Sequence, residues 1–136
     1  MPKPARRAPR RRESRPPVAV GHVVLRVPDP EAAAAFYERL GLRPVWCAPH
    51  LAILELRGGT HLLLFPGGRR ARSDRAAPFD LMADDLADFR GRTSAAGLRP
   101  SQTRLERRSG HRFFSVVDPA GNRITIYSSH TDGRRV

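Results

Sequence analysis

The sequence is short of cysteine and of long apolar runs. Its single cysteine, Cys47, excludes an intrachain disulfide and gives no sign of an oxidising compartment. No apolar run approaches the roughly 18 residues that a membrane-spanning helix needs. The first apolar run, residues 18–27, alternates like a strand and contains His22 and Arg26, unlike the apolar core of a signal peptide. These absences predict a cytoplasmic protein with no membrane partner.

Acidic residues are also scarce, with 13 Asp and Glu against 25 Lys and Arg, so the formal net charge is +12. Residues 1–17 hold seven Lys or Arg, one Glu and five Pro, and no Ile, Leu, Val or aromatic residue. Such a segment cannot bury enough apolar surface to offset the entropy lost on ordering. We therefore predict a disordered basic tail at 1–17 and a short C-terminal tail at 131–136. The basic tail is either a solvated extension or a nucleic-acid-binding or surface-binding arm that acts by counterion release, and nucleic acid is not expected elsewhere.

An internal repeat organises the rest of the chain. The tetrapeptide GLRP occurs at 41–44 and again at 97–100, an offset of 56. Further on, GTHLLLF at 59–65 matches GNRITIY at 121–127 with an offset of 62, so the second copy has a loop that is six residues longer. We predict one domain at 18–130, made of repeat one at 18–68 and repeat two at 77–130, with a polar linker at 66–77.

Local signals predict the same order of elements in both copies. Asp29 is a natural N-cap, Pro30 suits the first helical position, and Gly41 suits the left-handed stop. The second helix is expected from Asp85 to Ala96, although Gly91 and Thr93 weaken it. Alternation and turn signals predict strands at 18–27, 43–47, 51–57, 60–65, 78–83, 98–103, 111–117 and 122–128. The fold class is therefore α+β, with two βαβββ repeats.

Three segments resemble a known superfamily: HVVLRVPDPEAAAAFYERLGL at 22–42, THLLLFPGG at 60–68 and FSVVDPAGNRITIY at 114–127. They are similar to the vicinal oxygen chelate superfamily, which includes glyoxalase I, extradiol dioxygenases, fosfomycin-resistance enzymes and bleomycin-binding proteins. The resemblance covers residues 19–129. It implies two units that curl a mixed sheet into a cup for a small molecule, and it implies a homodimer with the pocket either within a chain or across two chains.

The resemblance also implies where a metal would bind. The metal ligands of the metal-using members map to His22, Leu63, Pro78 and Thr125 in this sequence. Only His22 is a good ligand, whereas a divalent ion needs about three or four His, carboxylate or thiolate donors. We therefore expect no cofactor. A divalent metal at a shifted site that uses His61 or His111 remains the alternative.

Strand alternation predicts which side chains line the cup if His22, Leu63 and Thr125 face inward. The candidate ligand-binding residues are His22, Arg26, Trp46, His61, Phe65, Phe113, Ser115, Arg123, Thr125 and Tyr127. In this arrangement Arg26 or Arg123 would receive a carboxylate or phosphate. The competing interpretation is that His22 and the aromatic residues Trp46, Phe65 and Tyr127 belong to the core.

The predicted function is metal-independent binding or sequestration of a small organic molecule, and the basic character of the chain favours a neutral or anionic one. One alternative is a metal-dependent lyase, isomerase, dioxygenase or thiol transferase. Another is a nucleic-acid or anionic-surface module that acts through the basic tail. The sequence does not decide whether the protein is an enzyme. It favours the absence of activity, because three of the four implied metal-ligand positions lack a good ligand.

Overall fold

A computed structural model describes residues 16–69 and 75–129. Most of the predicted basic tail, part of the predicted linker and the whole of the predicted C-terminal tail lie outside the described residues. The elements of the first half are β1 (His22–Val27), α1 (Pro30–Leu40), β2 (Arg43–Ala48), β3 (Leu51–Glu55), a 3₁₀ turn (Arg57–Gly59) and β4 (His61–Pro66). Those of the second half are β5 (Arg75–Ala76), β6 (Leu81–Ala83), α2 (Leu86–Ala95), β7 (Arg104–Leu105), β8 (Arg112–Val117) and β9 (Asn122–Ser128).

The strands form two sheets of the same topology. The first has the order β1-β4-β3-β2, with β1 parallel to β4 and antiparallel pairing elsewhere. In the second, β6 pairs in parallel with β9, and β8 and β7 follow in antiparallel pairing. The short β5 pairs with β9 ahead of β6, within the stretch that was predicted to be a linker. The predicted α+β fold of two βαβββ repeats is confirmed.

The register of the sheets repeats the offsets found in the sequence. Arg26 on β1 lies beside Phe65 on β4. Adding 56 to the first number and 62 to the second gives Met82 and Tyr127, which are partners in the second sheet. The two repeats therefore match strand by strand and residue by residue across their parallel pairs.

Helix α1 forms as the sequence predicts. The Asp29 side chain accepts a hydrogen bond of 3.1 Å from the amide of Ala32, and Gly41 ends the helix with a φ of 119°. The residues at the predicted apolar spacing are all buried, and they are Ala33, Phe36, Tyr37 and Leu40. Because these four side chains point at one face of the first sheet, the helix covers that face and leaves the other open.

The second repeat departs from the prediction in one strand. Asp85 caps α2 through the amide of Asp88, as expected. The strand predicted at 98–103 is wrong, since only Arg104 and Leu105 pair with β8. Arg99 has a φ of +54°, which is incompatible with an extended strand, and Pro100 has no amide hydrogen for a ladder.

The two repeats meet through their helix-bearing sides. The Tyr37 hydroxyl on α1 donates a 2.7 Å hydrogen bond to Asp118, in the turn between β8 and β9. The Arg39 guanidinium donates to the carbonyl of Ala96 at the end of α2. One continuous set of buried apolar residues joins both halves. No helix in the described part of the chain is long and apolar enough to cross a membrane.

Candidate functional site

Each sheet has a face that its helix covers and a face that stays open. On β1, Leu25 and Val27 are buried in the core, while His22, Val24 and Arg26 alternate onto the other side and are exposed. The same alternation on the neighbouring strands makes this open face continuous across the first sheet. We call it the first open face, and we call its counterpart on the other sheet the second open face.

The first open face consists of three rows of side chains that run across the strands. In order from β2 through β3 and β4 to β1, the rows are Arg43, Glu55, His61 and His22; Trp46, Ile53, Leu63 and Val24; and Ala48, Leu51, Phe65 and Arg26. Residues opposite one another on paired strands are direct neighbours, so each row is contiguous. The central row is entirely apolar, and polar or charged groups lie on both sides of it.

The charged groups on this face differ in their partners. Arg43 donates through Nε to Glu55 at 2.7 Å, and the two form an ion pair. The guanidinium carbon of Arg26 lies 5.8 Å from the centre of the Phe65 ring, which is within range of a cation–π contact. No carboxylate in residues 16–69 and 75–129 pairs with Arg26. Arg26 is therefore a positioned cation without an ion-pair partner among the described residues.

The backbone at Gly67 passes close to the side chain of Arg26. Its φ of +141° lies outside the range that side-chain-bearing residues favour, and a Cβ added there would lie 3.7 Å from Cδ of Arg26. The amide of Gly67 donates to the carbonyl of Val27 at 3.0 Å. The backbone after β4 thus runs alongside the Arg26 side chain, opposite the start of helix α1.

The second open face is more polar. Phe113 and Tyr127 lie opposite each other with ring centroids 5.5 Å apart, and Met82 flanks Tyr127 on the far side. Ser115 lies opposite Thr125, and Arg123 follows on the next inward position of β9. The rings of His111 and Tyr127 are nearly perpendicular, with their centroids 6.4 Å apart. Nδ1 of His111 is 3.3 Å from the Ser128 hydroxyl.

The structure places all ten predicted lining residues on the open faces, five on each. Those on the first are His22, Arg26, Trp46, His61 and Phe65, and those on the second are Phe113, Ser115, Arg123, Thr125 and Tyr127. The competing core interpretation fails for His22, which is exposed, and for Trp46, whose exposed fraction is 57%. The role of these residues as ligand contacts stays a prediction.

Sequence reasoning missed the contribution of β3 to the first open face. The side chains of Leu51, Ile53 and Glu55 alternate onto this face. Glu55 forms its ion pair with Arg43 of β2 there. The signal was available, because β3 alternates like β4 and is joined to it by a tight turn. A residue that pairs with an inward-facing neighbour must itself face inward.

The residues implied as metal ligands do not fit a metal ion. Leu63 and Pro78 have no side-chain donor, and Thr125 offers only a hydroxyl. In residues 16–69 and 75–129, no group of three or more His, Cys, Asp or Glu side chains is arranged to hold a metal. His22 and His61 are neighbours with ring centroids 6.1 Å apart, and the nearest carboxylate in their row, that of Glu55, is engaged by Arg43.

Two clefts lie away from the predicted lining residues. A small one of about 110 Å³ lies between the β1–α1 turn and residues 119–120. A more open depression of about 340 Å³ surrounds the Arg43–Glu55 ion pair, Arg57 and Gly58. Neither is lined by any of the ten predicted residues, although Arg43 and Glu55 of the first open face line the second cleft.

Fold and open faces together define a duplicated α+β domain that presents two curved sheets. Residues 19–126 match the model of the Glyoxalase/Bleomycin resistance protein/Dioxygenase superfamily. The chain belongs to this superfamily, as its resemblance to vicinal oxygen chelate proteins predicted.

Solved structures with the same fold carry different functions. A lactoylglutathione lyase from Agrobacterium tumefaciens is 25% identical, with a TM-score of 0.66 over 84% of this chain and 96% of that one. A bleomycin resistance determinant encoded on the transposon Tn5 is 27% identical, with a TM-score of 0.67 over 83% and 99% of the two chains. A bleomycin-binding protein in complex with bleomycin is 26% identical, with a TM-score of 0.67 and the same coverage. No curated protein matches the chain in sequence.

Proposed function

We propose that this protein binds or sequesters a small neutral or anionic organic molecule on its open faces, without a metal ion and without catalysis. The observation that carries the proposal is the central apolar row of the first open face, which includes Leu63, a position at which the family resemblance implies a metal ligand. An apolar surface flanked by a few oriented polar groups is typical of small-molecule sites. Arg26, which lacks a carboxylate partner in the described residues, would receive a carboxylate or phosphate.

Similar structures support binding without defining the ligand. One of them is a bleomycin-binding protein in complex with bleomycin. Residues 18–136 of the present chain carry a formal charge of +6. A surface with this charge repels a cationic glycopeptide such as bleomycin. A neutral or anionic molecule is therefore the better match for this surface.

A homodimer is part of the proposal. On the open faces Val24, Trp46 and Met82 have exposed fractions of 47%, 57% and 37% in the single chain. Val24 and Trp46 belong to the central apolar row of the first open face, and exposed apolar surface of this kind is typical of interaction sites. Because the repeats meet through their helix-bearing sides, the open faces point away from that contact, and a second copy could enclose them. The single, free Cys47 excludes an intrachain disulfide, which fits the reducing cytoplasm as the compartment.

One observation favours a metal-dependent enzyme as the second candidate. His22, His61 and Glu55 belong to a single row on three neighbouring strands. Two histidines and one carboxylate form the ligand set of several metal enzymes, including oxygenases. This site would require Glu55 to leave its ion pair with Arg43. On β4 the metal ligand would be His61 in place of the implied position Leu63. The reaction would then be that of a lyase, isomerase, dioxygenase or thiol transferase.

The first experiment measures metal content after the purified protein is loaded with Zn, Ni, Fe, Mn and Co under reducing conditions. We expect far less than one equivalent of any metal. If the protein binds one equivalent of metal and both H22A and H61A lose it, the metal-enzyme candidate replaces the proposal.

The second experiment measures shifts of the melting temperature by aromatic carboxylates and aromatic phosphates, with the uncharged amides as paired controls. Saturation at about 100 times the Kd stabilises a protein by about 2.7 kcal/mol, which is readily measured. We expect R26Q to abolish the difference between each acid and its amide. R92Q is the matched control, because Arg92 lies on α2 in an ion pair with Asp88. If none of the compounds shifts the melting temperature, the proposal that this face binds a ligand is overturned.

A further inference from the structure

The positive charge of the described domain is concentrated in one segment. Residues 89–117 contain seven arginines and a single acidic residue, Glu106. Four of the arginines lie within nine residues, on the hairpin that joins β7 to β8. We call residues 104–112 the arginine hairpin, and its arginines are Arg104, Arg107, Arg108 and Arg112. This is also where the second repeat has its six additional residues, because the offset changes from 56 to 62 between GLRP and β8.

The arginines of the hairpin are exposed and lack acidic partners. All four are exposed, and no carboxylate in residues 16–69 and 75–129 forms an ion pair with any of them. This contrasts with Arg43, Arg57 and Arg92, each of which pairs with a carboxylate. The hairpin therefore presents its charge to the outside of the molecule.

Glu106 offsets only one of the four positive charges, so residues 104–112 keep a formal charge of +3. Its carboxylate forms no ion pair in the part of the chain that the structure describes and instead builds the turn. It accepts hydrogen bonds from the amides of Arg108 at 3.1 Å and Ser109 at 2.7 Å, and from the Ser109 hydroxyl at 2.7 Å. The amide of Gly110 donates to the backbone carbonyl of Glu106 at 2.8 Å. These bonds fix the turn and place the side chains of Arg107 and Arg108 at its tip.

The chemistry of the hairpin fits a polyphosphate backbone. Guanidinium groups bind phosphate oxygens in a bidentate manner, and several of them on a fixed scaffold release several counterions at once. An anionic membrane is the weaker match, because a membrane-binding loop also needs apolar side chains at its tip. Residues 107–110 are Arg, Arg, Ser and Gly, and the exposed Leu105 is on β7 and not in the turn.

We propose that the arginine hairpin binds the phosphate backbone of nucleic acid, independently of the small-molecule site and of the basic N-terminal segment. The binding is electrostatic and does not distinguish base sequences, since the hairpin has no Phe, Tyr or Trp to stack on a base and its His111 ring lies against Tyr127.

The test measures fluorescence anisotropy of the full chain with a labelled duplex of about two helical turns, at salt concentrations from about 50 to 200 mM. The hairpin variant replaces Arg104, Arg107, Arg108 and Arg112 with Gln. With four phosphate contacts removed, the slope of log K against log salt should fall in magnitude by about 3 to 4. At the lower salt concentration, affinity should fall at least tenfold.

A matched control removes the same amount of charge elsewhere. It replaces Arg10, Arg11, Arg12 and Arg15 with Gln, and we expect the slope to change by less than half as much. Equal losses of duplex affinity in both variants would assign binding to net charge alone. A loss of affinity confined to the control would assign binding to the N-terminal segment. Either result overturns the proposal. Binding to phosphatidylglycerol vesicles without binding to the duplex also overturns it, in favour of a membrane. If the fourfold variant fails to fold, R107Q/R108Q at the tip of the turn replaces it, with half the expected change in slope.

Discussion

The hydroxyl of Tyr37 on α1 donates a 2.7 Å hydrogen bond to the carboxylate of Asp118, which lies 81 residues further along the chain in the second repeat. Both residues are buried. Asp118 also accepts from the amides of Ala120 and Asn122 and from the Asn122 side chain, at 2.8 to 3.0 Å. One carboxylate therefore shapes the β8–β9 turn and attaches it to the helix of the other repeat.

Removal of the Tyr37 hydroxyl should weaken the contact between the repeats. We expect Y37F to lower the free energy of unfolding by about 1 to 3 kcal/mol, because Asp118 loses one of its buried partners. Urea denaturation monitored by circular dichroism measures this change. Y127F is the matched control, since Tyr127 lies on an open face, and it should cost less than about 0.5 kcal/mol. A smaller loss for Y37F than for Y127F would contradict this account.

The same pair should make stability depend on alkaline pH. Burial, the negative charge of Asp118 and the hydrogen bond to it together raise the pKa of Tyr37 well above its ordinary value of 10.0. The unfolded chain releases this proton above about pH 10 while the folded chain keeps it, so the contribution is complete below pH 10 and is lost as the pH rises further. We expect a loss of about 1.4 kcal/mol per pH unit that is absent from Y37F. Parallel curves for the two proteins would rule out this origin.

Two glycines should respond to alanine in opposite directions. Gly41 ends α1 at a φ of 119°, so G41A should destabilise the protein by about 1 to 2 kcal/mol. Gly91 lies inside α2, and a Cβ there would meet nothing within 4 Å, so G91A should stabilise it by about 0.5 to 1 kcal/mol. Thermal unfolding of both variants measures the contrast. Effects of the same sign would show that the ends of the helices are not formed as described.

The turn of the arginine hairpin should be visible in the titration of one carboxyl group. Hydrogen bonds from the side chain and amide of Ser109, and from the amide of Arg108, lower the pKa of Glu106 below its ordinary value of 4.5. The S109A variant should raise this pKa toward 4.5, because it removes the bond from the hydroxyl. Carbon-detected NMR titration of the Glu106 carboxyl measures it. An unchanged pKa in S109A would mean that the turn is not ordered in solution.

The only tryptophan reports on the open face. Trp46 has an exposed fraction of 57% in the single chain, so its emission should be that of a solvated indole when the protein is dilute. Burial by a second copy or by a ligand should shift the emission to shorter wavelengths as protein or ligand concentration rises. Fluorescence over a dilution series, alongside sedimentation velocity, separates the two causes. A dimer that leaves the emission unchanged would place the interface elsewhere.

Sequence was sufficient for the elements whose signals are local. The cap at Asp29, the stop at Gly41 and the spacing of Ala33, Phe36, Tyr37 and Leu40 defined α1 completely, because each acts within one or two helical turns. The internal repeat likewise predicted that the second half of the chain repeats the order of elements of the first. The strand predicted at 98–103 failed because backbone conformation at Arg99 and the missing amide of Pro100 outweigh the propensity of their neighbours.

The candidate site was only partly accessible from sequence. Ten side chains were predicted to line the cup, and although all ten lie on the open faces, their role as ligand contacts stays a prediction. Alternation could not reveal that Glu55 is held by Arg43, or that Arg26 stacks on Phe65 beside Gly67, because these contacts depend on register across strands. The buried bond between Tyr37 and Asp118 joins distant segments in the same way, and no local pattern signals it.

The six additional residues of the second repeat lie in a loop between neighbouring antiparallel strands, where extra length costs little free energy of loop closure. A duplicated chain carries every loop twice, so one copy can diverge while its twin preserves the original connection. The first repeat has the shorter connection at the equivalent place, between β2 and β3. Replacing residues 101–112 with the equivalent short turn would restore the symmetry of the molecule, and comparison of the two chains would reveal what the divergence of one loop added.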